Sequence, residues 1–295
     1  MLVRNVSDTA RWVAMYRAME TDRPDAIFRD PFARRLAGDR GAEILEAMPR
    51  GRATAWPMVV RTAVFDELIL RAISRDGVDT ILNLAAGLDA RPYRLSLPPT
   101  LRWIDVDLPE ILAYKQEIMA NERPSCKLET VALDLVDIPA RRAFFEKINN
   151  EGRHVMVVSE GLLVYLAPGD VRTLAIDLRS ERTFEWWLFD LASIGVLEYA
   201  QKSWQKQMGG GTVMQFAPRE GTQFFTSLGW WLSEFRLTMK DARRLHREMP
   251  MAWLFRPLIA LEMRKPQEKS KWRTGTVLLQ NPVTAVRESR VVSPT

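Results

Sequence analysis

Four short, mainly apolar runs recur through the middle of the chain, at residues 80–84, 101–106, 130–133 and 155–159, with helical or polar stretches between them. Short strands alternating with helices mark a parallel α/β sheet, because parallel neighbours need a crossover long enough to hold a helix. Ligands of such sheets collect outside the carboxyl ends of the strands. The residues just past each run therefore carry the information. The first run ends in Ala85-Ala86-Gly87, the second in Asp105-Val106-Asp107, the third in Asp134-Leu135 and the fourth in Glu160-Gly161.

Those endings have a chemical logic. A turn of small residues lets a ligand approach the backbone closely. An acid about 20 residues further on, here Asp107, suits two ribose hydroxyls. Asp134 can meet an adenine amino group while the following backbone N–H reaches a ring nitrogen. Any one acid at a strand end more often caps a helix or faces water. Four acids in succession, Asp105, Asp107, Asp134 and Glu160, at consecutive strand ends shift the balance toward a nucleotide-like ligand. The turn has neither G-x-G-x-x-G nor G-K-[ST], so it is a poor phosphate cradle. An adenosine without phosphate fits better, and S-adenosylmethionine is such a molecule.

The flanks fill in a single decorated domain over residues 1–282. Residues 1–55 form an N-terminal helical cap, with turn signals at Arg23-Pro24, Asp30-Pro31 and Pro49-Arg50-Gly51. In residues 57–70, Val60, Val64 and Leu68 repeat every four positions as a buried helix face requires. Arg61 lies at the edge of that face, where a long side chain commonly snorkels to solvent. Residues 184–190 suit a fifth strand, and 230–237 and 274–280 two closing strands. Residues 193–218, with Gly209-Gly210-Gly211, Trp204, Met214 and Phe216, read as a lid-like insertion, and 283–295 as a loose tail.

Composition removes other classes. The lone Cys126 excludes an intramolecular disulfide framework. His154 and His246 match no zinc-ligand spacing, so no metal is expected. The net charge of +5 reads as scattered, without the basic stripe of a nucleic-acid binder. No apolar run approaches the ~20 residues that span a bilayer, and residues 1–11 lack a secretory pattern. The expectation is a cytoplasmic protein without nucleic-acid or membrane partners, of open oligomeric state.

Residues 83–95 (NLAAGLDARPYRL) resemble the glycine-rich motif of the leucine carboxyl methyltransferase family, which includes many bacterial S-adenosylmethionine-dependent O-methyltransferases. Residues 23–33, Arg61-Thr62 with Phe65-Asp66, Asp105-Val106-Asp107-Leu108-Pro109, and 159–166 (SEGLLVYL) are similar to further family segments, in the family order. The resemblance implies a Rossmann-like class I methyltransferase: a seven-stranded, mostly parallel sheet whose last strand is antiparallel. It implies that Arg61 pairs with the methionyl carboxylate of the cofactor, against the solvent-facing reading from periodicity. Ala85 and Gly87 match the turn under the cofactor, Asp107 the ribose-binding acid, Asp134 and Leu135 the adenine contacts, and Glu160 the acid near the methionyl end. Two departures stand out. Family members usually carry glycine where this chain has Ala85, which is tolerable if φ stays negative. The family's N-terminal lysine has no counterpart, Arg11 being only nearby.

Methyl transfer from a sulfonium is an in-line displacement, driven by alignment and exclusion of water. A carboxylate acceptor is already anionic, whereas a hydroxyl benefits from a general base. Neither histidine is placed to act as one. His154 precedes the fourth strand and His246 falls in a polar helix over 241–248. Tyr165 either lines an acceptor pocket or packs in the core. The implied activity is O-methylation of a small molecule such as a secondary metabolite. The rival is a non-catalytic protein that keeps the fold.

Overall fold

A computed structural model describes residues 2–3, 5–151, 154–204, 207, 209, 213–249, 251–264 and 270–283. Seven strands form one sheet: β1 (Thr80–Leu84), β2 (Arg102–Asp107), β3 (Lys127–Ala132), β4 (Val155–Ser159), β5 (Phe184–Leu191), β6 (Trp231–Leu237) and β7 (Gly275–Gln280). Their order is β3-β2-β1-β4-β5-β7-β6, with β1 to β5 parallel and β7 antiparallel to both its neighbours. The chain leaves β1 toward β2 on one side and returns to β4 on the other. That reversal opens a crevice at the carboxyl ends of β1 and β4.

Burial explains which strands were legible. β1 and β4 are buried throughout, so they read as continuous apolar runs. β3 is a sheet edge with Lys127, Glu129 and Ala132 exposed. It begins three residues before the expected 130, because an edge strand facing water carries no hydrophobic signature.

Eleven helices are described: α1 (Val6–Thr21), α2 (Ala33–Ala47), α3 (Ala55–Arg75), α4 (Arg91–Arg94), α5 (Pro109–Ile118), α6 (Ile138–Glu151), α7 (Pro168–Ser180), α8 (Ile194–Trp204), α9 (Gln223–Thr226), α10 (Thr238–Arg244) and α11 (Ala252–Arg264). None is long and apolar enough to cross a membrane among the described residues. α3 buries Val60, Val64, Leu68 and also Phe65, Ile69 and Ala72 against one sheet face, with Ile81, Trp103, Met156 and Val158. The opposite face packs on α6 and α7 around Phe145, Phe184, Trp187 and Leu174. α1 and α2 form a separate apolar layer with Trp12, Met15, Leu36 and Ile44, joined by Leu88 and Ile111.

Two expectations need correcting. α10 stops at Arg244, and His246 lies beyond it with φ +54°, so the polar helix does not reach 248. Phe216 is not part of a lid lining: it is buried against Phe224 and Phe225 in the main core. The segment around it is fastened to the loop after β4, since the Gln215 and Phe216 N–H groups donate to Val164 O at 2.8 and 3.2 Å. Residues 205, 206, 208 and 210–212, with most of the triple glycine, lie outside the described residues.

Candidate functional site

The site grows from the carboxyl ends of β1, β2, β4 and β5. After β1 the chain turns through Ala85 at φ +54° and Gly87 at φ +51°. Glycine suits such a turn because a Cβ clashes with the following carbonyl in left-handed backbone. Ala85 nevertheless occupies it, so the condition of a negative φ is not met. The methyl is accepted at the cost of local strain.

Asp107, at the end of β2, pins this turn. Its Oδ2 accepts the Gly87 N–H at 2.6 Å and its Oδ1 the Leu108 N–H at 2.7 Å. Each carboxylate oxygen keeps a further lone pair for an incoming hydroxyl. Burial raises the Asp107 pKa above the ordinary carboxylate value, outweighing the two N–H groups and the Lys115 charge that lower it. α1 lies over the turn: a Cβ at Gly87 would sit 3.5 Å from Ala10 Cβ. Arg17 of α1 clasps the same loop, donating to Leu88 O at 2.6 Å and to Asp30 Oδ2 at 2.8 Å.

Beneath the turn runs an alternating chain of buried and half-buried charges. Arg91, 2% exposed, donates to Asp66 Oδ1 at 2.6 Å and to Asp89 Oδ2 at 2.8 Å, and its Nη2 pairs with Glu160 Oε2 at 2.8 Å. Arg61 takes the other Glu160 oxygen at 2.9 Å and reaches Asp190 Oδ2 at 3.1 Å. Asp190 Oδ1 accepts the Gly161 N–H at 2.6 Å, and a Cβ at Gly161 would lie 3.4 Å from Arg61 Nη1. Arg94 closes the far end with a two-pronged bond to Asp66, both distances 2.7 Å. Below it, Asp105 is satisfied by Lys115 at 2.7 Å, Asn83 at 2.9 Å and Trp103 at 2.9 Å.

Burial by itself would raise the Glu160 carboxyl, but the guanidiniums of Arg91 and Arg61 hold it below the usual range. Asp89 is held well below that range: burial is again outweighed, here by Arg91, Lys115 and Arg94. These carboxylates are therefore ionised at neutral pH.

Of the residues expected from sequence, Arg61, Ala85, Gly87, Asp107 and Glu160 meet at one crevice. Arg61 is held, its side chain 12% exposed, between two carboxylates rather than snorkelling, and its Nη2 donates no hydrogen bond among the described residues. Asp134 is exposed and accepts the Val136 N–H at 3.0 Å. Leu135 is buried, its carbonyl taken by Arg141 at 2.7 Å, while its own N–H finds no acceptor among the described residues. A left-over N–H beside an acid is the arrangement an adenine edge requires. Tyr165 is half-buried at the strand-four end, bonded to Thr9 and facing the charges of Arg61 and Asp190. Burial is the largest influence on its phenol and raises the pKa.

Arg91, Asp66, Asp89 and Asp190 escaped sequence reasoning. Asp66 carried a usable signal, an acid inside a helix stretch of otherwise buried residues five positions after Arg61. His154 is remote from the crevice, at the opposite end of the sheet, with its Nδ1 2.8 Å from Glu185 Oε1. Arg11 is engaged elsewhere, stacked 3.7 Å over the Tyr114 ring and bonded to Ala37 O.

Comparison with known proteins places the chain among relatives of one family and fold. The profile of the leucine carboxyl methyltransferase family matches residues 10–178. A candidate S-adenosyl-L-methionine-dependent methyltransferase of Frankia alni is 30% identical over 251 residues, 79% of this chain and 85% of that protein. Another from Mycobacteroides abscessus is 38% identical, over 56% of this chain and 56% of its own length. This chain thus spans little more than half of that relative. Two solved structures share the fold: a candidate methyltransferase from Thermobifida fusca (TM-score 0.58, 10% identity, 95% of this chain and 96% of that one) and a DUF574 family protein from Streptomyces avermitilis (TM-score 0.56, 12% identity, 91% and 97%).

Proposed function

Because this chain belongs to the leucine carboxyl methyltransferase family, we propose that it transfers the methyl group of S-adenosylmethionine to a carboxylate or hydroxyl oxygen of a small molecule, such as a secondary metabolite. The observation that carries the reading is the run of strand ends: a left-handed turn at Ala85 to Gly87, Asp107 tied to it, a spare N–H at Leu135, and Arg61 between two acids.

Each residue then has a role. Asp107 accepts from the ribose hydroxyls. Asp134 and the Leu135 N–H receive the adenine edge. The open Nη2 of Arg61 meets the methionyl carboxylate, and Glu160 and Asp190 keep the guanidinium aimed and give the ammonium an acidic wall. The bound cofactor supplies a methyl made electrophilic by its sulfonium. The protein holds the acceptor oxygen in line behind that methyl and keeps water out, which lowers the entropic and solvation parts of the barrier. Tyr165, between Thr9 and the Arg61–Asp190 pair, borders that space.

His154 lies at the opposite end of the sheet and His246 is exposed beyond α10, which favours a carboxylate acceptor. Labelled cofactor with a panel of carboxylic acids and phenols tests this. A carboxylate reaction is level with pH once the acid is ionised. A phenol reaction climbs toward the phenol pKa, near 10. Transfer confined to nitrogen or sulfur nucleophiles would contradict the O-methyl reading. Ala85 at φ +54° favours one rival, a non-catalytic protein retaining the fold; cofactor binding without transfer to any acceptor would support it.

A further inference from the structure

We propose that α11, with Trp272 beyond it, docks this protein on an anionic lipid surface, with the carboxyl edge of the sheet turned toward the membrane. A surface helix normally buries its apolar stripe and shows water its polar one. α11 instead shows water an apolar stripe. Among its exposed residues are Trp253, Leu254, Pro257, Ala260, Leu261 and Arg264, which share one face at helical spacing. Trp253 is 65% and Leu261 61% exposed, and Met251 just before the helix is 61% exposed. Trp272, beyond the helix, is also exposed.

Charge selects the partner. Residues 251–273 carry six basic residues against two acids, so they hold +4 of the chain's net +5. The surplus that reads as scattered is in fact gathered in the segment that carries this apolar face. An exposed apolar face with tryptophan and leucine, in a segment rich in arginine and lysine, is the composition of helices that lie in a membrane interface. Anionic headgroups attract such a segment, whereas the same face on a second copy would bring like charges together.

Its place in the fold gives the contact a consequence. The segment rejoins the sheet at Gly275, opposite Leu191, the last residue of β5. The Gly195 N–H at the start of α8 donates to Lys271 O at 2.7 Å, and Ser193 N–H to Thr274 Oγ1 at 3.0 Å. Lys271 and Thr274 therefore stand at the same edge as Asp190 and Arg61, where an acceptor held in the bilayer would arrive. The docking itself does not depend on the proposed chemistry.

Flotation of the full chain with phosphatidylglycerol–phosphatidylcholine vesicles, against pure phosphatidylcholine, tests it. Binding is expected to the anionic vesicles and to weaken with added salt. Trp253→Ser with Leu261→Ser should reduce partitioning by at least about tenfold, with unfolding midpoint and S-adenosylhomocysteine affinity unchanged, since both side chains face solvent. No binding to anionic vesicles, binding indifferent to the double substitution, or a concentration-dependent dimer abolished by it would overturn the proposal.

Discussion

Replacing Ala85 with glycine turns the geometry of the cofactor turn into a sign. Ala85 holds φ +54°, where an L-residue is disfavoured by about 1–2 kcal/mol relative to right-handed backbone. Glycine removes that strain but gives the unfolded chain more freedom, offsetting about 0.4–1 kcal/mol. Ala85→Gly should therefore stabilise the fold by about 0.5–1 kcal/mol. At an ordinary negative φ the same change would cost about 0.5–1 kcal/mol. Urea unfolding separates the two: the midpoint should rise while the slope stays constant. S-adenosylhomocysteine affinity should hold or tighten, because the turn relaxes toward the backbone it already has. A lower midpoint at unchanged slope would refute the left-handed turn and the reasoning built on it.

The remaining predictions concern the charged chain beneath the turn. Arg91→Ala leaves Asp66, Asp89 and Glu160 without their shared guanidinium and should cost about 3–5 kcal/mol in denaturant unfolding; a loss under about 1 kcal/mol would show the network to be solvated. Asp89 and Glu160 have folded pKa values below their unfolded ones. Their contribution is present above the unfolded values and disappears as pH falls through the folded ones, so stability should drop below about pH 5. Asp107, whose folded pKa is raised, opposes that trend. Asp107→Asn should thus make stability rise more steeply between about pH 4 and 6, and an unchanged slope would argue against its burial.

Sequence made the buried strands legible and left the charges obscure. β1 is found at its full length because it is buried on both faces and mainly apolar, while β3 is displaced because its edge is polar. The Ala-Ala-Gly turn, Asp107 and Glu160 show through their positions at strand ends. The partners of Arg61 do not: Glu160 and Asp190 lie 99 and 129 residues away, and only the sheet order brings them to α3. For the same reason Arg61 reads as a solvent-seeking side chain until its carboxylates are in place. The sign of φ at Ala85 is invisible too, since alanine gives no hint of left-handed backbone. Phe216 looks like a lid residue in a glycine-rich stretch, yet the Val164 carbonyl draws its backbone in and its ring joins the core.

Calorimetric titration with S-adenosylhomocysteine, on the natural chain and on Arg61→Ala, tests the cofactor site most directly. The natural chain should bind one equivalent saturably. Arg61→Ala, folded by circular dichroism, should bind about 10- to 150-fold more weakly, corresponding to about 1.5–3 kcal/mol for a charge-assisted hydrogen bond. Absence of saturable binding by the natural chain at millimolar ligand would contradict a cofactor site at these strand ends.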